Sequence, residues 1–545
     1  MSRSCQAGAM RRRIAARWNR LGAAGRGLLA TLGLVLVAGA VAFAALSATG
    51  TLSSDDEPTV APQEVAEAAR APERKDVDPF AYSPERRADF VERAALGHSH
   101  VLYELSPGGI EASAARTARW RDAIEAAASR RGADPDLMEA MVLLESAGRP
   151  EVIAGADPEA ASGLAQILPD TAITLLGMEV DLARSQALTA EYAENVQRIE
   201  RARTIAAGAK TSAKKRRDAA KEVGELTRRN VEVLRERRSV DERFQPEAAL
   251  DGMARYLALS ERRFGRGDLA VVAYHMGQGN LENVIERYTG RNVDSDAIGR
   301  LVAAEDLNYA QLYFDSSPLI NERAWGLLGS LGDDSSTYLW RVLAAERIMS
   351  LYREDRERLR EVADLQTAKA TAEELFHPVS ETDRFTDPDA LDDAREDGDL
   401  VRIPGDGTYG FRVGNKLGEL ADDLGVPLDS YRALRPAALA ALIYLSERTR
   451  EINGGEGKLI VTSAVRDLAY QEALTGVNPE ATREYSLHTT GYSFDILRRY
   501  SNDRQAEAFQ FMLDRLRSLA VLDYAVEPQA IHVTVSNGAR PLLED

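Results

Sequence analysis

Glu145 closes the run "DPDLMEAMVLLES", whose last turns are otherwise almost wholly apolar. Asp134 supplies an N-cap and Pro135 the first helical position, both helix-start signals. Met138, Met141, Val142 and Glu145 recur at helical spacing, so Glu145 falls on the stripe expected to face a core. A glutamate held there has its charged form destabilised and keeps its proton toward neutral pH, as a general acid requires. The same residue could instead end its helix turned outward to water. A second constellation lies beyond residue 400, in "YSLHTTGYSFDI" and "QAIHVTVS". Six residues separate His488 from Asp495, with Gly491 between them to allow a turn, and His532 follows on an expected strand. Two histidines, one carboxylate and an open position suit a catalytic Zn2+, which acidifies bound water and polarises a carbonyl. Histidines buried in a zinc-free fold would give the same pattern.

The elements that must position these groups differ between the two halves. Residues 110 to 350 read as helical nearly throughout. Within them, 184 to 243 form a charged, alanine-rich stretch with no proline between Pro169 and Pro246, which predicts long helices, as in an antiparallel hairpin. Its charges read as a solvated face. Residues 351–405, including "ETDRFTDPDALDDAREDGD", are acidic and rich in breakers and read as a linker. Beyond it, "RPAALAALIYLSERTREI" reads as a helix and "GKLIVTSAVR" and "AIHVTVS" as strands, making residues 406–545 an α+β domain.

The chain's 545 residues suffice for two or three domains with real cores. A net charge of −18 argues against nucleic acid as the main partner. The first 54 residues contain no acid, and Arg3, Arg11, Arg12, Arg13, Arg17, Arg20 and Arg26 precede an uncharged run from Gly27 to Ser54. This composition predicts a basic cytoplasmic tail (1–26), a retained transmembrane anchor (27–49) and a polar linker (50–109). The protein is then expected to be single-pass in the cytoplasmic membrane, with its bulk periplasmic or extracytoplasmic. Cys5 is the sole cysteine, so the exported part must be held by its cores or by metal.

After Glu145-Ser146 come Gly163-Leu164-Ala165-Gln166, Pro169 to Ala172, and later Ala273-Tyr274-His275 with Gly277 and Gly279. In that order these blocks resemble the lytic transglycosylases with a goose-lysozyme-like, all-helical domain, over residues 115 to 345. The resemblance implies that Glu145 is the catalytic acid and then base. It protonates the leaving glycosidic oxygen, and the muramic acid's own 6-hydroxyl attacks the anomeric carbon to leave a 1,6-anhydro end. It also implies that Ser146, Gln166, Tyr274 and Tyr338 line the sugar groove, without a cofactor. Ala165 stands where Met is usual and His275 where Asn is usual. Glu139, on another part of the helix, is a poor second carboxylate.

Ser486, His488, Gly491 and Asp495, followed by His532, resemble the zinc DD-peptidase superfamily of D-alanyl-D-alanine carboxypeptidases and murein endopeptidases, over residues 430 to 537. The resemblance implies Zn2+ on His488, Asp495 and His532, and a substrate-positioning role for Arg466. The general-base Glu expected three residues before the last His is replaced by Gln529, which leaves Glu527, the nearest acid, as the candidate acid/base of a peptidase.

The fold class expected is therefore multidomain: an N-terminal transmembrane helix, an all-α lysozyme-like domain (110–350, with the charged stretch 184–243 inserted) and a C-terminal α+β zinc-peptidase-like domain. The function expected is a membrane-anchored enzyme that cuts peptidoglycan glycan strands and acts on, or binds, stem peptides. A hydrolytic muramidase and a noncatalytic peptidoglycan-binding scaffold are the alternatives.

Overall fold

The computed structural model describes residues 78–544, apart from residues 210, 333, 406 and 478–483. In chain order, the helices that matter here are α1 (Arg87–Gly97), α2 (Pro135–Ser146), α3 (Leu182–Ala207) and α4 (Ala213–Val240). They continue with α5 (Pro246–Phe264), α6 (Gly267–Met276), α7 (Tyr338–Glu354), the one-turn α8 (Glu373–Phe376), α9 (Pro436–Ile452) and α10 (Asp503–Ser518). The strands of the larger sheet are β1 (Phe411–Val413), β2 (Leu459–Ser463), β3 (Ser493–Leu497), β4 (Leu522–Val526) and β5 (Ala530–Val535).

The helical body is built around α7, whose Trp340 and Tyr338 are among the largest fully buried side chains. Its principal partner is α2. There the Asp134 carboxylate accepts from the N–H groups of Asp136 and Leu137, and Pro135 occupies the first turn. The helix stops at Ala147 and Gly148, both at positive φ. A Cβ on Gly148 would lie 2.5 Å from the Thr117 amide nitrogen, so only glycine lets the chain turn so tightly against its neighbour. α3 and α4 pack along each other, with Asn195 and Asn230 hydrogen-bonded between them and Arg229 paired with Glu191 and Glu236 outside.

In the C-terminal half the strand order is β1-β2-β3-β5-β4, antiparallel except for β1 on β2. Register places Ser463, Asp495, His532 and Ala525 opposite one another across four neighbouring strands. Cross-strand partners share a face, so this row fixes which side of the sheet can carry a site.

The two halves share one continuous core. Arg515 on α10 donates to the carbonyls of Phe314 (2.7 Å), Ser316 (2.6 Å) and Tyr313 (3.2 Å) in the helical body. Arg93 on α1 reaches the carbonyls of Leu519 and Gly538, and His98 meets Ser518 at 3.0 Å.

Three expectations are corrected. Among the described residues no helix is long and apolar enough to cross a membrane. The anchor expected at 27–49 and the tail 1–26 lie outside those residues. Over the described residues the fold class is thus a mostly helical body with a C-terminal α+β region, and none of these helices is the transmembrane one expected. The linker expected at 50–109 is helical over Arg87–Gly97 and His100–Leu105, where Phe90, Ala94 and Val101 enter the core. The acidic linker expected at 351–405 contains the helices Arg356–Gln366, Glu373–Phe376 and Pro388–Glu396. In both segments most charged side chains stay outside while a few apolar ones, such as Leu359, Val362 and Leu391, are fully buried. Average composition hides that asymmetry.

Arg515→Ala leaves up to three carbonyls without their donor. It should lower stability by about 2–4 kcal/mol, read as a drop in the thermal unfolding midpoint of the purified protein.

Candidate active site and candidate metal centre

α2 delivers Glu145 into a cavity of about 400 Å³ whose walls include Val101, Leu102, Leu105, Leu143 and Leu144. The carboxyl is reachable from the groove and enclosed elsewhere. Tyr338, at the first turn of α7, donates its hydroxyl to Glu145 Oε1 at 2.6 Å. Burial raises the Glu145 pKa from 4.5 to about 7, against the Tyr338 hydrogen bond, which lowers it. Desolvation wins, so the group holds a proton near neutrality. Two acids line the cavity, and the other, Asp334, is gripped through both oxygens by Arg341. Glu139 is fully buried away from the cavity, paired with Arg121 at 3.2 Å and with Arg353 of α7. It ties α2 to α7.

The remaining residues expected in the sugar groove divide by role. Tyr338 touches Glu145 directly. Ser146 borders the cavity, but its hydroxyl is spent on the Val142 carbonyl one turn back. Gln166 sits at φ 47° and donates to the carbonyls of Val152 and Gly163, closing the turn in which it lies. That turn presents the Ala165 carbonyl, which accepts from the half-buried Tyr274 hydroxyl at 2.6 Å. Gln166 and Tyr274 thus hold the frame. His275 stacks on Tyr338 with ring centroids 4.7 Å apart, and its Nδ1 lies 2.9 Å from Ser335 Oγ. It positions the tyrosine that holds the acid. Arg149, Asp334 and Arg341 also line the cavity. Sequence reasoning missed them because nothing in their local pattern marks a groove.

On the sheet, Asp495 (β3) and His532 (β5) face each other in register, with His532 Nδ1 2.9 Å from Asp495 Oδ1. His488 comes from the turn before β3, which ends at Gly491 with φ 81°. Its Nε2 lies 3.2 Å from the same oxygen. One ligand atom from each of the three residues lies within 4.8 Å of the others. Two imidazole nitrogens and a carboxylate oxygen match the donor preference of Zn2+. The second nitrogen of each imidazole is engaged: His488 Nδ1 with the Ala464 carbonyl (2.8 Å), His532 Nε2 with Glu373 (3.2 Å). Outer hydrogen bonds of this kind fix the tautomer of metal-binding histidines, so the residues present fit the ion. Burial, with Arg466 nearby, lowers the His488 pKa to about 4. Burial also opposes charge on His532, but Asp495 and Glu373 outweigh it and raise that pKa to about 10.

Arg466 lies 2.6 Å from Ser463 Oγ and 3.4 Å from Asp495 Oδ2, and lines the same cavity of about 340 Å³. At the β4–β5 hairpin, Glu527 N–H donates to Ala530 O across a turn whose tip is Pro528-Gln529. This pairing puts Glu527 on the face of Ala525 and His532, where it lines the cavity, and leaves Gln529 exposed at the tip. Counting three residues back from His532 therefore lands in the turn. Glu373 also lines the cavity, and composition gave no sign of it, because its segment read as linker.

Residues 224–296 match the family model described as "Transglycosylase SLT domain". No curated protein matches the chain. The matched segment runs from within α4 through α5 and α6, and Glu145 lies outside it. The two are joined by contact, since Tyr274 and His275 of the matched segment hold the Ala165 turn and Tyr338. The match supports a peptidoglycan lytic transglycosylase, a lyase, and with it binding to glycan strands.

The Glu145 proton has a consequence for stability. Between pH 4.5 and about 7 the folded chain binds a proton there that the unfolded chain releases, so stability falls as pH rises through that window. Glu145→Gln removes this dependence. The melting temperature of the variant minus that of the parent should increase from pH 4.5 to 7 and level off above, as read by calorimetry in a buffer series.

Proposed function

We propose that the helical body cleaves MurNAc-GlcNAc β-1,4 bonds of peptidoglycan without water, leaving 1,6-anhydromuramyl ends. The observation that carries this reading is Glu145, protonated near neutrality in a groove whose other acid is tied to an arginine. Most glycosidases that use water or a covalent intermediate employ a second carboxylate. Asp334, gripped by Arg341, is poorly placed to serve. In the proposed reaction Glu145 gives its proton to the leaving oxygen, the substrate's own 6-hydroxyl displaces it, and the resulting carboxylate takes that hydroxyl's proton. Tyr338 stays hydrogen-bonded to Glu145 through the cycle and steadies the transient carboxylate.

The C-terminal half acts on the stem peptides of the same polymer in this reading. His488, Asp495 and His532 would hold Zn2+, which when bound polarises the scissile carbonyl and acidifies water. Arg466 orients the peptide, and Glu527, on the cavity face of the hairpin, takes up the proton. Peptidoglycan lies outside the cytoplasmic membrane, so both halves work there.

Peptidoglycan digested with the protein and added Zn2+ should yield anhydromuramyl products by mass spectrometry. Glu145→Gln should cut their formation by about 10²–10⁴-fold. The rate should fall as pH rises through about 7, where Glu145 loses its proton. Stem peptides should be trimmed by Glu145→Gln but not by His488→Ala. Reducing ends in place of anhydro ends would make the enzyme a muramidase, and intact glycan and peptides would leave a binding scaffold.

A further inference from the structure

We infer that Glu373 is the outer carboxylate of the metal centre, accepting from Nε2–H of His532 and so holding the ring with Nδ1 turned toward Asp495 and His488. This inference rests on reading those three residues as metal ligands.

The two histidines solve the same problem differently. His488 follows β2 closely enough in space to use the Ala464 carbonyl for its second nitrogen. His532 lies inside β5, where the backbone carbonyls are committed to the neighbouring strands. Its second nitrogen needs a side chain. Thr534, two residues on along the same face, approaches at 3.3 Å, and Glu373 Oε2 lies at 3.2 Å. Glu373 itself falls outside the group of ligand atoms, so it acts on the ring and not on the ion.

The carboxylate is itself held in place. Lys369 Nζ donates to Glu373 Oε1 at 2.7 Å and to the Tyr485 carbonyl at 2.8 Å, which fixes the side chain against the turn before His488. The Ala372 N–H at the start of α8 donates to Asp523 on β4 at 3.0 Å, which fixes the helix to the sheet. Glu373 is 7% exposed, so its bond to His532 is made in a setting where charge-assisted hydrogen bonds are strong. An imidazole with such a partner has one tautomer and one orientation, and is a more basic ligand for it.

The test is Zn2+ affinity of the purified protein by competition with a chromogenic chelator. It is run beside the visible absorption of the Co2+-substituted form and far-ultraviolet circular dichroism as a check on folding. The parent should bind one ion. Glu373→Ala should bind about 10–100-fold more weakly with an altered Co2+ spectrum, and Glu373→Gln, which keeps an acceptor without its charge, should fall between. Parent-like affinity and spectrum in a folded Glu373→Ala, with binding lost in His488→Ala, would overturn the role of Glu373 and leave the metal site standing. A parent protein that binds no more Zn2+ than His488→Ala would overturn the metal site and this inference together.

Discussion

Taking an ionised carboxylate out of water costs several kcal/mol unless a cation or a set of donors replaces the solvent. The helical body offers Glu145 neither. Of the arginines lining the cavity, Arg341 is held by Asp334 and Arg149 donates to the Ser146 carbonyl, so the carboxyl meets apolar walls and one tyrosine hydroxyl, and the least costly response is to keep the proton. Much of the surrounding architecture serves that condition. The tight turn at Ala147-Gly148 stops α2 where the side chain enters the groove. Glu139, two residues within the same helix's fully buried stretch, is neutralised by Arg121 and Arg353, so the fold spends its cations there. Tyr338 is steadied from behind by His275, and Arg341 is occupied by Asp334.

The sheet site follows the opposite logic. His532 lies between Asp495 and Glu373, and Lys369 and Arg466 sit at the margins. Here burial is tolerated because opposite charges are interleaved at hydrogen-bond distance, each satisfying the next. One site isolates a single group, and the other crowds many together. The condition of Glu145 therefore depends on the exclusion of solvent, and that of Asp495 on the geometry of its partners.

Sequence reading singled out residues that the fold gathers at both candidate sites, for reasons that are local. Glu145 shows itself as a polar residue on an apolar stripe, and His488 and Asp495 as a short spacing with a glycine at the turn. It failed where position depends on the rest of the chain. Gln166 and Tyr274 bear the right residue types, but their polar atoms are consumed by a turn and a carbonyl that only the folded backbone defines. Glu527 was singled out only as the acid nearest Gln529, and the reason it faces the cavity, a two-residue hairpin tip that carries Gln529 outward, shows only in the fold. Glu373 was hidden by acidic, breaker-rich surroundings that read as linker. The helices at Arg87–Gly97 and Arg356–Gln366 were hidden because two or three buried residues suffice to dock a short helix against an existing core.

The contact between α1 and α10 joins residues more than four hundred positions apart, as in the bond from Arg93 to the Leu519 carbonyl. A chain growing from its N-terminus completes α1 long before its partner exists. Until the last hundred residues emerge, the face that α1 gives to α10 has nothing to close on, and the loop that must be closed is nearly the whole polypeptide. Assembly of the joint is therefore a late, post-synthetic event, and the nascent helical body must stay soluble with that face uncovered. In the finished protein the same contact binds elements far apart in the described chain, so a chain cut short before α10 would lose not only His532 from its second candidate site but also the cover of α1.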